Sequence, residues 1–417
     1  MTRRPQSRKP SGRPPRKPVP GPGAVARARE PKPKRPERPR PPRPEKPPLR
    51  AGRNVYIVQT QPGFESIAWE EVAARVEGAR LIGFRTVPER AGMAVFAAPR
   101  PDKLSALRTA EDVFAMLSYR RGLGPESGSL DKIESSVRTA LYLEDALRAR
   151  IRITPGTRAG RRLRFKVITR LAGEHEFRRA ELKRAVETGI LGRGDRTWRL
   201  DETAADVEFW TTMLQDEWML AVRLSDDRMR QREYKIAHLP GSLRPAVAAA
   251  LAWLSSPRDD DVVLDPLCGA ATVLIERAHL GRYAMLLGGD SDRETLEAAR
   301  ENVGPRYKPI ELKLWDAVAL PLRDSSVTKI VTNLPWGIRH GSHAENRRLY
   351  PRLLAEFARV LKPDGVMVML TAEARLMREL WRDGLFKPAR VMHVTVLGVP
   401  AAVYVCPRTA ISVPEKD

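Results

Sequence analysis

Val262-Val263-Leu264-Asp265-Pro266-Leu267-Cys268-Gly269-Ala270-Ala271-Thr272 is the stretch on which the reading of this chain turns. Apolar, β-favouring residues run into an acid and a proline; small residues follow, and then a threonine opens an apolar run. That order is a strand, a tight turn and a helix start. Downstream, strands are expected at 283–290, 311–315, 329–333 and 366–370, with helices at 272–280, 293–302, 347–361 and 372–383. A helix over 243–254 leads into the first strand. Repeated βα units of this kind predict a doubly wound, mostly parallel α/β sheet. The last two strands, 389–397 and 401–406, are joined by Gly398-Val399-Pro400, so an antiparallel hairpin should close the sheet.

Ligands in such sheets lie beyond the strand C-termini, and four features fall there. The small residues after Asp265 let a backbone approach a ligand, and the N–H groups at the helix start favour its carboxylate. Ala271 stands where a second glycine is expected. Gly288-Gly289-Asp290 ends the next strand, and an acid at that tip commonly holds ribose hydroxyls; Asp292 caps the helix that follows. Trp315-Asp316 ends the third strand, where a carboxylate can accept from an exocyclic adenine amine. Thr332-Asn333-Leu334-Pro335-Trp336-Gly337 follows the fourth. The Asn333 side-chain oxygen and the Leu334 carbonyl can accept the two hydrogens of an exocyclic amine. Pro335 stiffens the turn, and Trp336 can stack on the base. Singly, these residues have plain alternatives: a close strand–helix turn, a helix cap, an Asn-Pro turn with a core tryptophan.

Taken in order, the four features resemble the S-adenosylmethionine-dependent amino-methyltransferases of class I, whose doubly wound sheet ends in an antiparallel hairpin. More closely, the chain resembles the THUMP-domain tRNA guanine-N2-methyltransferases. That family's cofactor turn D-P-x-C-G-S-G-T is matched from Asp265 to Thr272 except at Ala270 and Ala271. Its T-N-x-P-[YF]-G motif is matched from Thr332 to Gly337, with Trp in the aromatic place. Upstream, Thr60-Gln61-Pro62-Gly63-Phe64-Glu65 is similar to the opening of the family's ferredoxin-like domain, and 165–181, with His175, Phe177 and Arg178, to its THUMP core. Arg232-Glu233-Tyr234 and Leu239-Pro240-Gly241-Ser242-Leu243 resemble the junction into the methyltransferase domain. The resemblance covers about 54–406.

The upstream half reads as smaller α/β units. Strands are expected at 55–58 and 92–98, each followed by a helix (65–76 and 103–117). A helix over 130–148, a strand at 163–168 with a basic outer face, a helix over 177–191, and strands at 206–209 and 219–224 follow. The resulting division is a tail (1–52), a ferredoxin-like domain (53–125), a THUMP-like RNA-binding domain (126–226) and a Rossmann-like methyltransferase domain (227–417).

Charge supports a polyanionic partner. The 417 residues carry a formal net charge of +23. Residues 1–50 hold 17 Lys or Arg against three acids, and 16 of the 36 prolines. Such a segment has too little apolar surface to fold and is expected to be disordered, as a solvated linker or an electrostatic arm for nucleic acid. Two cysteines, Cys268 and Cys406, exclude a disulfide framework and a four-sulfur zinc site. No apolar run reaches the roughly 18 residues of a membrane span, and the N-terminus lacks the apolar core of a secretory signal. A cytoplasmic location follows as the expectation. There is no P-loop lysine motif and no His-Glu-x-x-His helix. His340 and His343 lack a supporting second cluster, so no metal is expected; the stretch 337–345 reads instead as a loop that closes over the target base.

The resemblance implies methyl transfer to guanine N2, in the acceptor stem of a tRNA, other structured RNA remaining possible. Asn333, Leu334, Pro335 and Trp336 are the expected catalytic residues. Asp265, Cys268, Gly269, Ala270, Thr272, Asp290 and Asp316 are expected to hold S-adenosyl-L-methionine. Arg178, Arg179, Lys183, Arg184 and Arg339 are expected to contact RNA, in a protein acting as a monomer. Two alternatives stay open at this point: adenine-N6 methylation of RNA or DNA, and an inactive RNA-binding relative, suggested by the departures at Ala271 and Trp336.

Overall fold

The computed structural model describes residues 48–158, 160–338 and 341–410. Most of the tail, together with Arg339 and His340, therefore lies outside the described residues. Among those described, no helix is long and apolar enough to cross a membrane.

The first half contains β1 (Val55–Thr60), α1 (Glu65–Arg75), β2 (Arg80–Val87), β3 (Ala91–Ala97) and β4 (Asp112–Arg120). After these come α2 (Ser129–Arg138), α3 (Leu143–Ile153), β5 (Arg162–Ala172), α4 (Arg179–Leu191), β6 (Thr197–Leu200), β7 (Val207–Leu214) and β8 (Glu217–Arg223). All eight strands form one sheet in the order β2-β3-β1-β4-β8-β7-β5-β6. Strand β4, antiparallel to both β1 and β8, joins its two halves.

The segment 103–117, expected as a helix, folds otherwise. A single 3₁₀ turn covers Leu104–Ala106, and β4 takes the rest. Val113, Ala115 and Leu117 enter one core while Phe114 and Met116 enter another on the opposite face. A strand buried on both faces reads as a continuous apolar run, which periodicity alone does not separate from a buried helix. The helix expected over 130–148 is two helices that part around the exposed Leu141. On β5 the expected basic face exists, but Arg164 pairs with Asp206 at 3.0 Å and Lys166 with Glu208 at 2.9 Å.

The second half follows the doubly wound expectation. It comprises α5 (Pro245–Leu254), β9 (Val262–Asp265), α6 (Thr272–Leu280), β10 (Met285–Asp290), α7 (Arg293–Val303), β11 (Ile310–Leu314) and β12 (Val327–Asn333), then α8 (His343–Val360), β13 (Leu361–Thr371), α9 (Ala374–Arg382), β14 (Arg390–Val396) and β15 (Val399–Pro407). The sheet order is β11-β10-β9-β12-β13-β15-β14. Its first five strands are parallel, and β15 returns antiparallel between β13 and β14. The order reverses between β9 and β12, so the crevice beyond their C-termini is the topological switch point. Helix α8 begins four residues earlier than expected because the Ser342 hydroxyl accepts from the Glu345 N–H.

One buried carboxylate ties the first half to the second. Glu276 on α6 is fully buried. It accepts both Arg108 Nε and Nη2 at 2.8 Å and the Tyr234 hydroxyl at 2.7 Å, with Arg232 beyond at 3.8 Å. Arg108 lies just before β4, so this pair joins the two sheet-bearing halves. Removing one partner of such a cluster leaves an uncompensated buried charge. Glu276→Gln is expected to lower unfolding free energy by about 3 kcal/mol, read as the shift in a urea-denaturation midpoint.

Candidate active site

Asp265 closes β9 and is buried, 2 % exposed. Burial pushes its carboxyl up to about 7, the Asp290 charge adding to the rise. The turn that follows is built on left-handed backbone at Gly269 (φ +51°) and at Ala271 (φ +58°), the residue that precedes α6. Ala271 thus adopts the conformation of the glycine it replaces. That geometry costs a non-glycine residue roughly 1–2 kcal/mol, and the methyl is fully buried in the core in return. Its substitution leaves the strand–turn–helix course intact.

The ends of β10 and β11 hold this turn from one side of the sheet. The Gly269 N–H donates to Asp290 Oδ2 and the Asp292 N–H to Oδ1, both at 3.2 Å, so the second acid is fixed against the first loop. The Cys268 N–H donates to the Gly289 carbonyl at 2.9 Å. The Trp315 indole donates to the Pro266 carbonyl at 3.0 Å and lies so close to Gly289 that a Cβ there would meet the ring at 2.3 Å. Asp316, next in the chain, is exposed, and its carboxylate accepts from Val318 N–H in a turn. Thr272 opens α6, its hydroxyl 3.5 Å from that of Ser242. A Cβ built on Gly269 meets nothing within 4 Å. Open space therefore faces Gly269, while Asp265 and Asp290 end β9 and β10 and Asp316 lies just past β11. These acceptors suit an ammonium group, a ribose diol and an adenine amine, the donor groups of S-adenosylmethionine.

Asn302, absent from the sequence reading, supports the turn from behind. Its buried amide donates to the Ala270 carbonyl and the Ala237 carbonyl, both at 3.1 Å, and accepts from Ala237 N–H at 2.8 Å. An asparagine inside a charged helix carries no local signal of this.

The second loop follows β12. Asn333 Oδ1 accepts the Trp336 indole N–H at 3.0 Å. The indole nitrogen donates only, so the amide must present oxygen there and its orientation is set; the oxygen keeps a second lone pair. Trp336 is half-buried against the core, and Leu334 is buried with its N–H on the Leu370 carbonyl at 2.9 Å. The Pro335 carbonyl accepts two side chains of α8, Asn346 Nδ2 at 3.0 Å and the Tyr350 hydroxyl at 2.6 Å. Tyr350 also bonds Thr371 at 2.7 Å, which anchors the loop to the end of β13. Thr332, buried at the end of β12, faces Asp265, and its hydroxyl partly offsets the rise in that carboxyl's pKa.

Neither cysteine offers a nucleophile: burial pushes the Cys268 thiol well up and the Cys406 thiol up to about 12. Among the described residues, no group of three or more His, Cys, Asp or Glu is arranged to hold a metal. Of the expected RNA contacts, Arg178, Arg179 and Arg184 are exposed at the start of α4. Lys183 is engaged with Glu202 at 2.6 Å and Glu187 at 3.6 Å, and the Glu202 bond raises its pKa. Arg339 falls outside the described residues.

Residues 232–399 match the family described as UPF0020, RMKL-like, methyltransferase domain. The chain is 32 % identical to a mouse protein named tRNA (guanine(6)-N(2))-methyltransferase THUMP3, over 59 % of this chain and 52 % of that one. It therefore spans about half the length of that relative. It is 31 % identical to tRNA (guanine(6)-N2)-methyltransferase of Thermus thermophilus, over 55 % of this chain and 68 % of that one. The crystal structure of TrmN from Thermus thermophilus superposes with a TM-score of 0.67 at 26 % identity, covering 85 % of this chain and 99 % of the other.

Asn302→Ala leaves the buried Ala270 carbonyl and the half-buried Ala237 N–H and carbonyl without this partner. It is expected to cost about 2 kcal/mol, measured by chemical denaturation.

Proposed function

We propose that this chain, which belongs to the family of tRNA (guanine-N2)-methyltransferases, transfers a methyl group from S-adenosyl-L-methionine to the exocyclic N2 of a guanine in the acceptor stem of tRNA. The observation that carries this reading is the 333–337 loop, whose amide oxygen is oriented by Trp336 and whose Pro335 carbonyl is held by Asn346 and Tyr350. When bound, the cofactor supplies an electrophilic methyl carbon on a sulfonium. The protein's own part is to hold and position. Asp265, Gly269, Ala270, Thr272, Asp290 and Asp316 line the cofactor crevice, and the Cys268 backbone secures its turn. The free lone pair of Asn333 Oδ1 and the Leu334 carbonyl accept the amine hydrogens, which turns the nitrogen lone pair outward. Such dipoles act best where water is excluded and need no reorganisation during reaction. The half-buried Trp336 flanks the base.

A guanine paired in a stem has to leave the stack before its amine enters the loop. We assign the grip on the RNA to the first half, with 53–125 as a ferredoxin-like domain and 126–226 as a THUMP-like one. The β2-β3-β1-β4 order and the exposed Arg178, Arg179 and Arg184 support that assignment. Arg339 belongs to the same contact by its place after the catalytic loop. Both halves of the site come from one chain, which suits a monomeric enzyme, and a cytoplasmic location suits the substrate.

With labelled S-adenosylmethionine and unmodified tRNA transcripts, nucleoside mass spectrometry is expected to show N2-methylguanosine. Asn333→Ala should lower the rate at least about 100-fold, the scale for losing one preorganised polar group at the reacting centre. N6-methyladenosine would instead overturn the base assignment, and no transfer with no cofactor binding would overturn the enzymatic reading. Trp336→Phe keeps the ring but frees the Asn333 amide to flip; it is expected to lower kcat about tenfold while the affinity for S-adenosylhomocysteine, measured by calorimetry, stays unchanged.

A further inference from the structure

Methylation of an exocyclic amine leaves a surplus proton on the nitrogen, and none of the residues assigned above takes it. A histidine–carboxylate pair beside the catalytic loop does not belong to the cofactor crevice. His343, the first residue of α8, places Nδ1 2.7 Å from Glu373 Oε2. A carboxylate only accepts, so Nδ1 carries the hydrogen, and in the neutral ring Nε2 presents its lone pair. The His343 side chain is 50 % exposed whereas that of Glu373 is 10 % exposed, so the ring faces outward from an anchored partner.

The pair is wired to the loop. Glu373 Oε1 accepts Asn346 Nδ2 at 3.0 Å, and the same nitrogen donates to the Pro335 carbonyl. A Cβ on Gly337, four positions after Asn333, would sit 2.9 Å from Glu373 Oε1 and 3.0 Å from both Asn346 Nδ2 and the His343 backbone nitrogen. Gly337, itself at φ +67°, is therefore what lets the loop close against this pair. Among the described residues, the charged groups nearest in chain or fold are Glu373, which precedes α9, Glu345 on α8, bonded to Ser342, and Arg347 on α8, paired with Glu379 of α9 at 2.9 Å.

We infer that His343 is the base that receives the proton released from the methylated amine, with Glu373 as the positioning residue that fixes its tautomer. This rests on the methyl-transfer reading above. The N2–CH3 bond forms as the sulfonium C–S bond breaks, its electron pair staying on sulfur. The proton then passes from N2 to His343 Nε2, and the imidazolium is stabilised by the Glu373 carboxylate before water removes the proton.

Glu373→Gln separates tautomer from packing. Asn346 Nδ2 requires an acceptor at Oε1, so the substituted side chain points its NH2 at Nδ1 of His343. That moves the ring hydrogen to Nε2, where it blocks proton uptake. Single-turnover transfer to tRNA, at saturating S-adenosylmethionine and across pH, is expected to show an acid limb in the parent. His343→Gln and Glu373→Gln should both lower the rate on the order of 100-fold near neutral pH and abolish that limb, with cofactor affinity and thermal midpoint unchanged. Independently of turnover, side-chain 15N spectra of the free protein, assigned through His343→Gln, should show the Nδ1–H form in the parent and the Nε2–H form in Glu373→Gln. A parent that transfers methyl groups while His343→Gln keeps its rate and acid limb overturns this inference alone. So does an Nε2–H tautomer in the parent. A parent that transfers nothing overturns the methyl-transfer reading, and this inference with it.

Discussion

The arrangement of this molecule depends on a charge buried where the two sheets meet. Glu276 has no access to water and is surrounded by Arg108, Arg232 and the Tyr234 hydroxyl. Desolvating a carboxylate is costly, and only bidentate pairing with further hydrogen bonds repays the cost. The three partners come from the loop before β4 and from the segment leading into α5, whereas Glu276 rides on α6. Because α6 starts at the 266–271 turn, the contact that joins the halves also bears on the helix that begins at that turn. The first half is thereby fixed against the half that carries the crevice.

A second principle runs through the site: the loops that would touch ligand are held by side chains that would not. Asn302 holds the first loop through the Ala270 carbonyl, and Asn346 and Tyr350 hold the second through the Pro335 carbonyl. Trp336 fixes the amide that would accept the amine. A loop lacks the repeating hydrogen bonds of a helix or strand, so its geometry is only as definite as the partners its backbone finds. Here those partners sit on α7, α8 and the end of β13, which transfers the rigidity of the doubly wound sheet to the reacting centre. The left-handed Ala271 fits the same pattern. Its unfavourable backbone is tolerated because surrounding packing over-determines the turn.

Local sequence was enough for the second half. Strand, tight turn and helix start from Val262 to Thr272, the acid tips at Asp265 and Asp290, the asparagine turn at 333–337 and a closing hairpin are short-range patterns that the fold follows, but the hairpin turns at Leu397-Gly398, with Val399 and Pro400 paired in β15, and Asp316 lies two residues past β11. The signals are strong because buried parallel strands are apolar runs punctuated by turn residues, and because the ligand crevice of such a sheet always lies past the strand ends.

Tertiary structure alone decided the rest. Whether 103–117 is helix or strand depended on neighbours distant in sequence, since β4 is buried between β1 and β8 on both faces and its apolar run carries no period of its own. That Lys183 is engaged by Glu202, that Asn302 reaches the cofactor turn, and that Glu373 meets His343 are likewise contacts between segments far apart in the chain. A side chain's partner across such a distance is set by how elements pack, not by the residues beside it. Periodicity and turn chemistry thus place the strands and the loops between them, while the hydrogen bonds that turn a loop into a site form only once the sheet has brought its far neighbours within about 3 Å.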